Sequence, residues 1–218
     1  MIKNSKKRLF ATARHLFAMK GYQETSTRDI ADEAKVNISA ITYYFGGKLG
    51  LYRAVLSDIA CRVKKELHEK TEHASNLLAA DETTPQEAES LLFELISDLC
   101  SLLCSKRLPN EDAVIFLREY SVPGEAFDTL YQELISPVYR LFSDLIVKAT
   151  GNSLNNEDAA LYTFQLFAQM FVFQSRKQTI LQHLNWQEYG EREIKKITDM
   201  ILNHTRAVLA LYKNQHLR

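Results

Sequence analysis

The stretch TSTRDIADEAKVNISAITYYFGGKLGLY, residues 25–52, decides the fold. Ser26 or Thr27 can cap a helix that buries Ile30, Ala31 and Ala34, and Asp29 sits favourably in its first turn. A short turn at Lys35-Val36 follows, with Val36 pointing inward, and Asn37 caps a third helix that ends near Phe45. Gly46-Gly47 breaks that helix and Lys48 opens the next. Two short helices joined by a tight turn form a helix-turn-helix, a unit that lays its second helix in the major groove of DNA. On that second helix Ile38, Ile41 and Phe45 share the side expected to be buried, while Ser39, Ala40, Thr42 and Tyr43 fall on the other. Small residues on the open side would let the helix come close to base edges.

Upstream, a helix is expected from about Ser5 to Met19 or Lys20, with Leu9, Ala13, Leu16 and Phe17 as its apolar stripe and Lys6, Lys7 and Arg14 off it. Gly21 follows as a residue that tolerates positive φ, and Tyr22 packs back on the small core. Downstream, Lys48 begins a helix with Leu51, Val55, Ile59 and Val63 on one side, reaching about Lys70. The remainder reads as helices over about 85–105, begun at Pro85, and 110–120, capped by Asn110. Three more are expected over 123–150, kinked at Pro137, over 155–176, capped by Asn155, and over 191–213. A less regular stretch, 177–190, holds Trp186. Seven glycines and four prolines in 218 residues suit an all-α chain better than a turn-rich β fold.

The net charge is zero, which alone argues against a nucleic-acid partner. Its distribution argues the other way. Residues 1–55 hold ten basic and four acidic side chains, a surplus of six that the rest of the chain cancels. A basic end on an acidic body fits a DNA-facing module joined to something else. No secretory signal is visible, no run of about 18 apolar residues spans a membrane, and three cysteines fit a reducing cytoplasm better than a disulfide framework.

Residues 6–55 resemble the N-terminal domain of TetR/AcrR-type transcriptional regulators. The resemblance rests on Gly21-Tyr22, Thr25 to Ala31, Ala34-Lys35-Val36, Ile41 to Phe45, and Lys48 with Leu51. Ser39 stands where members often carry Gly, and Thr42 where they often carry an aromatic. The wording of Val36 to Lys48, and of Leu117-Arg118-Glu119-Tyr120-Ser121-Val122-Pro123 with Ala126-Phe127, is similar to the CecR-like subgroup. The resemblance implies a three-helix DNA-binding domain over 1–55 and a helical effector-binding and dimerisation domain over 56–218. It implies a cytoplasmic homodimer on palindromic half-sites of double-stranded DNA, answering a small-molecule effector, with no cofactor, no metal and no membrane contact.

On this reading Thr25, Thr27, Tyr44 and Lys48 hold the DNA backbone. Arg28 is the best reader of guanine, since its guanidinium fork matches O6 and N7. Asn37, Ser39, Ala40, Thr42 and Tyr43 complete the DNA-facing set. Polar or aromatic residues inside apolar helices are candidates for an effector pocket: Arg118, Tyr120, Phe127, Tyr131, Tyr162, Gln165, Gln169 and Phe173. Ordinary core is the competing reading for the aromatics. Arg118-Glu119 stands out because charges beside a core stripe need partners, and an internal tether is the competing reading there. The helix over 156–176 is apolar on more than one face, so Phe164, Phe167 and Phe171, with Ile194, Ile201 and Val208 of the last helix, are expected to pair two subunits. Cys100, Cys104 and Cys61 read as buried, inert thiols, with a thiol sensor or half a metal site as the competing reading for Cys100 and Cys104, four apart on one helical face.

The leading reading is a repressor released from its operator by a small molecule. An architectural or division-associated DNA-binding protein on the same fold, without an inducer, is the second. An enzyme is disfavoured, because no Gly-rich phosphate loop, nucleophile elbow or metal-spaced His/Cys/Asp set is present in the sequence.

Overall fold

A computed structural model describes residues 2–80 and 83–215. These form eleven α-helices and one π-helical turn, with no strand among the described residues. Contacts divide the chain into two compact units, residues 1–63 with 108–135, and residues 64–107 with 136–218.

The first unit contains α1 (Ile2–Glu24), α2 (Thr27–Ala34), α3 (Ser39–Phe45), the start of α4 (Lys48–Ala79), α6 (Asn110–Ser121) and α7 (Phe127–Leu130). The packing unit around the helix-turn-helix is therefore wider than the expected 1–55 segment. Its core joins Leu9, Ala13, Leu16 and Phe17 of α1 to Ile30, Ala31 and Ala34 of α2, Ile41 of α3, and Leu51, Val55, Leu56 and Ile59 of α4. Ile115 of α6 and Ala126 enter the same core. The α1 stripe repeats at helical spacing, so four of its residues point one way and leave the water together.

Local signals set the boundaries here. The α1 backbone turns non-helical at Gly21 (φ 86°, ψ 170°), where a side chain would be strained. Ser26 caps α2 in a reciprocal box: its hydroxyl accepts from the Asp29 N–H, and the Asp29 carboxylate accepts from the Ser26 N–H. Lys35 closes α2 in the left-handed region (φ 52°), with the Lys35 and Val36 N–H groups donating back to Asp32 and Ala31. Arg14 of α1 forms an ion pair with Asp58 of α4, and its Nε lies 3.2 Å from the buried carboxylate of Asp112 on α6. Arg62 Nε adds a second cation 3.6 Å from Asp112. Burial pushes the Asp112 carboxyl up, and the two arginines oppose that push.

The second unit contains α5 (Pro85–Cys104), α8 (Ser136–Ala149), α9 (Asn156–Ser175), α10 (Lys177–Leu184), α11 (Glu191–Gln215) and the end of α4. Helix α5 packs on α8, α9 and α11, and α8 on α9. An aromatic cluster ties α8 to α9: Tyr139 stacks on Phe167 with centroids 4.3 Å apart, and Phe142 meets the Phe167 ring at 4.9 Å. Thr84 caps α5 in a reciprocal box with Glu87, Pro85 opens that helix, and Asn155 caps α9.

Several boundaries differ from expectation. Helix α4 runs on to Ala79 rather than about Lys70, since no Gly or Pro interrupts 51–79. Asn110 is the first residue of α6 and makes no side-chain cap. The stretch 177–184, read as irregular, is helix α10. The helix expected over 123–150 begins at Phe127 and passes through a π-turn, Tyr131–Ile135, before α8. Pro137 lacks an N–H and its ring displaces the carbonyl four residues back, so the preceding turn widens rather than simply kinking.

Among the described residues no helix is long and apolar enough to cross a membrane. No group of three or more His, Cys, Asp or Glu is placed to hold a metal ion among them. Cys100 and Cys104 are buried in α5, and burial pushes their thiols up to about 12 and about 11. Cys61, expected inside, is exposed on α4.

Candidate nucleic-acid interface

Helix α3 is short, and its orientation follows from one residue. Ile41 is fully buried in the first unit's core, which turns the other side of the helix to solvent. Ser39, Thr42 and Tyr43 are exposed, Tyr43 by 80%. With the half-buried Ala40 and Tyr44 they line a shallow concavity. The Tyr43 and Tyr44 rings meet edge to face at 5.0 Å, which gives the exposed ring a fixed neighbour. An exposed aromatic ring flanked by small side chains leaves room for a partner to approach the helix closely. Ile38, expected on the buried side, is 47% exposed at the start of the helix, although its backbone is already helical and its carbonyl accepts from the Ile41 N–H at 3.1 Å.

Asn37 serves α3 as a cap. Its Oδ1 accepts from the Ser39 N–H at 2.9 Å and from the Ser39 hydroxyl at 2.7 Å. Both residues stay exposed, but that carboxamide oxygen and that hydroxyl proton are engaged within the turn. Thr27 is the first residue of α2, half-buried, and Arg28 beside it is exposed. Thr25 corrects the sequence reading. It is fully buried, and its hydroxyl donates to the Gly21 carbonyl at 2.7 Å and the Leu16 carbonyl at 3.3 Å. Its side chain fixes the turn between α1 and α2 and has no hydroxyl to offer a phosphate.

Lys48 is half-buried at the start of α4. Its ammonium lies 4.2 Å from the centre of the Tyr22 ring and donates to the Gln23 carbonyl at 3.4 Å. Burial lowers its pKa, and the negative charges of Glu125 and Glu24 work against that.

The structure adds cations that the sequence reading did not assign. Lys6 Nζ stands 5.6 Å from the centre of the Phe45 ring, at the end of α3, and Arg8 donates to the Lys35 carbonyl at 3.3 Å, in the turn before α3. Lys6, Lys7, Arg8 and Lys35 are exposed and in no ion pair among the described residues. Only their charge could have marked them, since nothing in the sequence brings α1 alongside α3. Arg14, counted in the same basic surplus, is neutralised by Asp58 and Asp112.

The expected effector-pocket residues are divided between the two units. Arg118, Tyr120, Phe127 and Tyr131 belong to the first unit, and Tyr162, Gln165, Gln169 and Phe173 to the second. Arg118 is committed to backbone: Nη1 donates to the Phe17 carbonyl at 2.7 Å and Nη2 to the Ala18 carbonyl at 3.3 Å. Tyr120 stacks on Phe116, and the Phe127 ring lies tilted against that of the exposed Tyr131, centroids 5.8 Å apart. Tyr162 is buried, Gln169 and Phe173 are half-buried, and Gln165 is exposed on the outer side of α9.

The expected dimerisation residues also divide. Phe167, Phe171 and Ile201 are buried inside the second unit, Phe167 within the aromatic cluster, so they cannot face a partner. Ile194 and Val208 are half-buried and Phe164 is 53% exposed. On these two helices the large apolar side chains left in solvent are Leu161, Phe164 and Val172 of α9 and Met200 and Leu211 of α11. Helix α9 is apolar around most of its circumference, so periodicity alone could not separate inner from outer residues.

Comparison with known proteins places this arrangement. Residues 9–55 match the family described as "Bacterial regulatory proteins, tetR family". Residues 88–211 match "HTH-type transcriptional dual regulator CecR, C-terminal domain". The chain is 32% identical over 209 residues to the HTH-type transcriptional dual regulator CecR of Shigella flexneri, covering 94% of this chain and 91% of that protein. Among solved structures it is similar to AibR in complex with isovaleryl coenzyme A and operator DNA, at 15% identity and a TM-score of 0.63, covering 92% and 97% of the two chains. It is similar also to FadR of Bacillus subtilis in complex with stearoyl-CoA, at 14% identity and a TM-score of 0.63, with the same coverage. The chain belongs to the TetR family of bacterial transcriptional regulators and carries a C-terminal domain of the CecR type.

Proposed function

We propose that this regulator is a homodimeric repressor that reads a palindromic operator with α3 and is released by a small-molecule effector in the cytoplasm. The observation that carries the reading is the exposed face of α3. Ser39, Thr42 and an almost fully exposed Tyr43 stand on a helix whose other side is locked into the core by Ile41. Arg28 supplies the fork for guanine, and Thr27, Tyr44 and Lys48 hold phosphates, with Asn37 setting the angle of α3 rather than leading the base contacts. One short helix discriminates too little. Two copies reading half-sites about 34 Å apart supply the rest, and the exposed apolar side chains of α9 and α11 are the surface through which two chains would join.

Release by an effector draws on the second unit, where Tyr162, Gln169 and Phe173 remain lining candidates. Two regulators of the same fold are complexes with acyl-CoA thioesters, so thioesters of varied chain length are the first compounds to screen.

The test is selection of bound duplexes from a random pool, followed by a salt titration on the winner and a scrambled control. A two-fold symmetric sequence and a steep salt dependence support the proposal. Equal affinity for the two duplexes would sink it.

A further inference from the structure

Arg118 and Glu119 are adjacent on α6, and both reach the DNA-binding helices. Arg118 grips two carbonyls of α1, those of Phe17 and Ala18, just before the break at Gly21. Glu119 is buried, its Oε2 accepting from the Tyr52 hydroxyl at 2.8 Å and its Oε1 from the Gly124 N–H at 2.9 Å. Burial, and then the Glu119 charge beside it, push the Tyr52 phenol far up, so it stays a donor at any physiological pH. The Tyr52 ring stacks on Tyr22 with centroids 4.8 Å apart and an interplanar angle of 30°. Phe17 supports both rings, at 4.9 Å from Tyr52 and 6.1 Å from Tyr22. Above Tyr22 lies the Lys48 ammonium, at 4.2 Å.

These contacts form one continuous column: Glu119, Tyr52, Tyr22, Lys48. Helix α6 falls inside the CecR-type C-terminal match, residues 88–211, yet packs in the same unit as α1 to α3. It is thus a part of the C-terminal match that reaches the platform under Lys48. We propose that Glu119 is a positioning residue for DNA binding: through Tyr52 and Tyr22 it sets where the Lys48 ammonium stands, so that a change at α6 is felt as a gained or lost phosphate contact. The inference rests on the proposed role of Lys48 at the DNA backbone. A second, electrostatic arm runs beside the column. Glu119 holds the Gly124 N–H, and the neighbouring Glu125 is felt at the Lys48 ammonium.

The test is a double-mutant cycle in the full-length protein, on the duplex recovered by selection. Tyr52→Phe keeps the stacked ring and removes only the hydroxyl that Glu119 holds. Each lost phosphate contact flattens the log–log salt slope by about 0.9, so a symmetric dimer should lose roughly 2. Lys48→Gln should lose the same amount, and Tyr52→Phe added to Lys48→Gln should change the slope no further. A merely structural role for Tyr52 would lower the melting temperature and leave the slope alone. Should Tyr52→Phe fail to fold, Glu119→Gln takes its place. Its amide keeps the volume but offers one acceptor oxygen to two donors, and the same flattening is expected. An unchanged slope in the variant, or slope losses that add in the double variant, overturns the column. Wild-type protein that binds no duplex overturns the DNA reading as well, which separates the two failures.

Discussion

Gly21→Ala is the sharpest probe of how the first unit is held together. Gly21 has φ 86° and ψ 170°, a combination that side chains rarely adopt, and holding alanine there costs about 1–3 kcal/mol. A Cβ would also stand 3.2 Å from Arg118 Nη1 and 3.6 Å from its Cδ and Cζ. The guanidinium is the far end of a flexible side chain and can yield, but doing so disturbs its 2.7 Å bond to the Phe17 carbonyl. A hydrogen bond to a charged group is worth roughly 1.5–3 kcal/mol, and partial loss of it brings the total to about 2–4 kcal/mol. For a chain of this size that is a fall in melting temperature of roughly 4–16 °C. The assay is thermal and urea unfolding at a fixed protein concentration, since dimerisation shifts apparent stability. Running Gly21→Ala in an Arg118→Ala background separates the two costs. The steric share should vanish there, leaving the backbone strain. A loss below about 0.5 kcal/mol in the single variant would refute the reasoning, because positive φ at Gly21 is its premise.

Arg28→Ala should relax base preference at one position of each half-site and cost about 1–3 kcal/mol on the preferred duplex; unaltered preference in a competition assay would remove Arg28 from the reading set. Leu161→Glu with Phe164→Glu should turn dimer into monomer by sedimentation, since both side chains are exposed on α9; a persistent dimer would move the interface elsewhere. At pH 8 a disulfide reagent should modify Cys61 quickly and leave Cys100 and Cys104 until the protein unfolds. The stability from keeping those two thiols protonated is intact below about pH 9 and is lost as the pH rises toward their values of about 11 and about 12. Three equally fast thiols would contradict the burial of α5.

The DNA-binding helices were legible because short-range chemistry specifies them. Ser26 with Asp29, the glycine at 21, and Ile41 opposite Ser39 and Tyr43 each act within a few residues of themselves. What stayed hidden depends on residues far apart in sequence. Arg118 finds its carbonyl about a hundred positions away, so no local pattern could tell a pocket residue from a tether. The inclusion of α6 in the first unit was hidden for the same reason. Thr25 misled because a hydroxyl at the foot of a DNA-binding helix suits a phosphate and a backbone carbonyl equally well. On α9 the failure had another cause. Leu161, Phe164, Phe167 and Phe171 are all apolar, and only the neighbouring aromatics Tyr139 and Phe142 decide which of them are taken inside.

The π-turn at Tyr131–Ile135 has a practical corollary. It inserts one residue into an otherwise α-helical rod, and in such a rod each residue advances the side-chain direction by about 100°. Counting in sevens from Phe127 therefore predicts the wrong face for everything after Ser136.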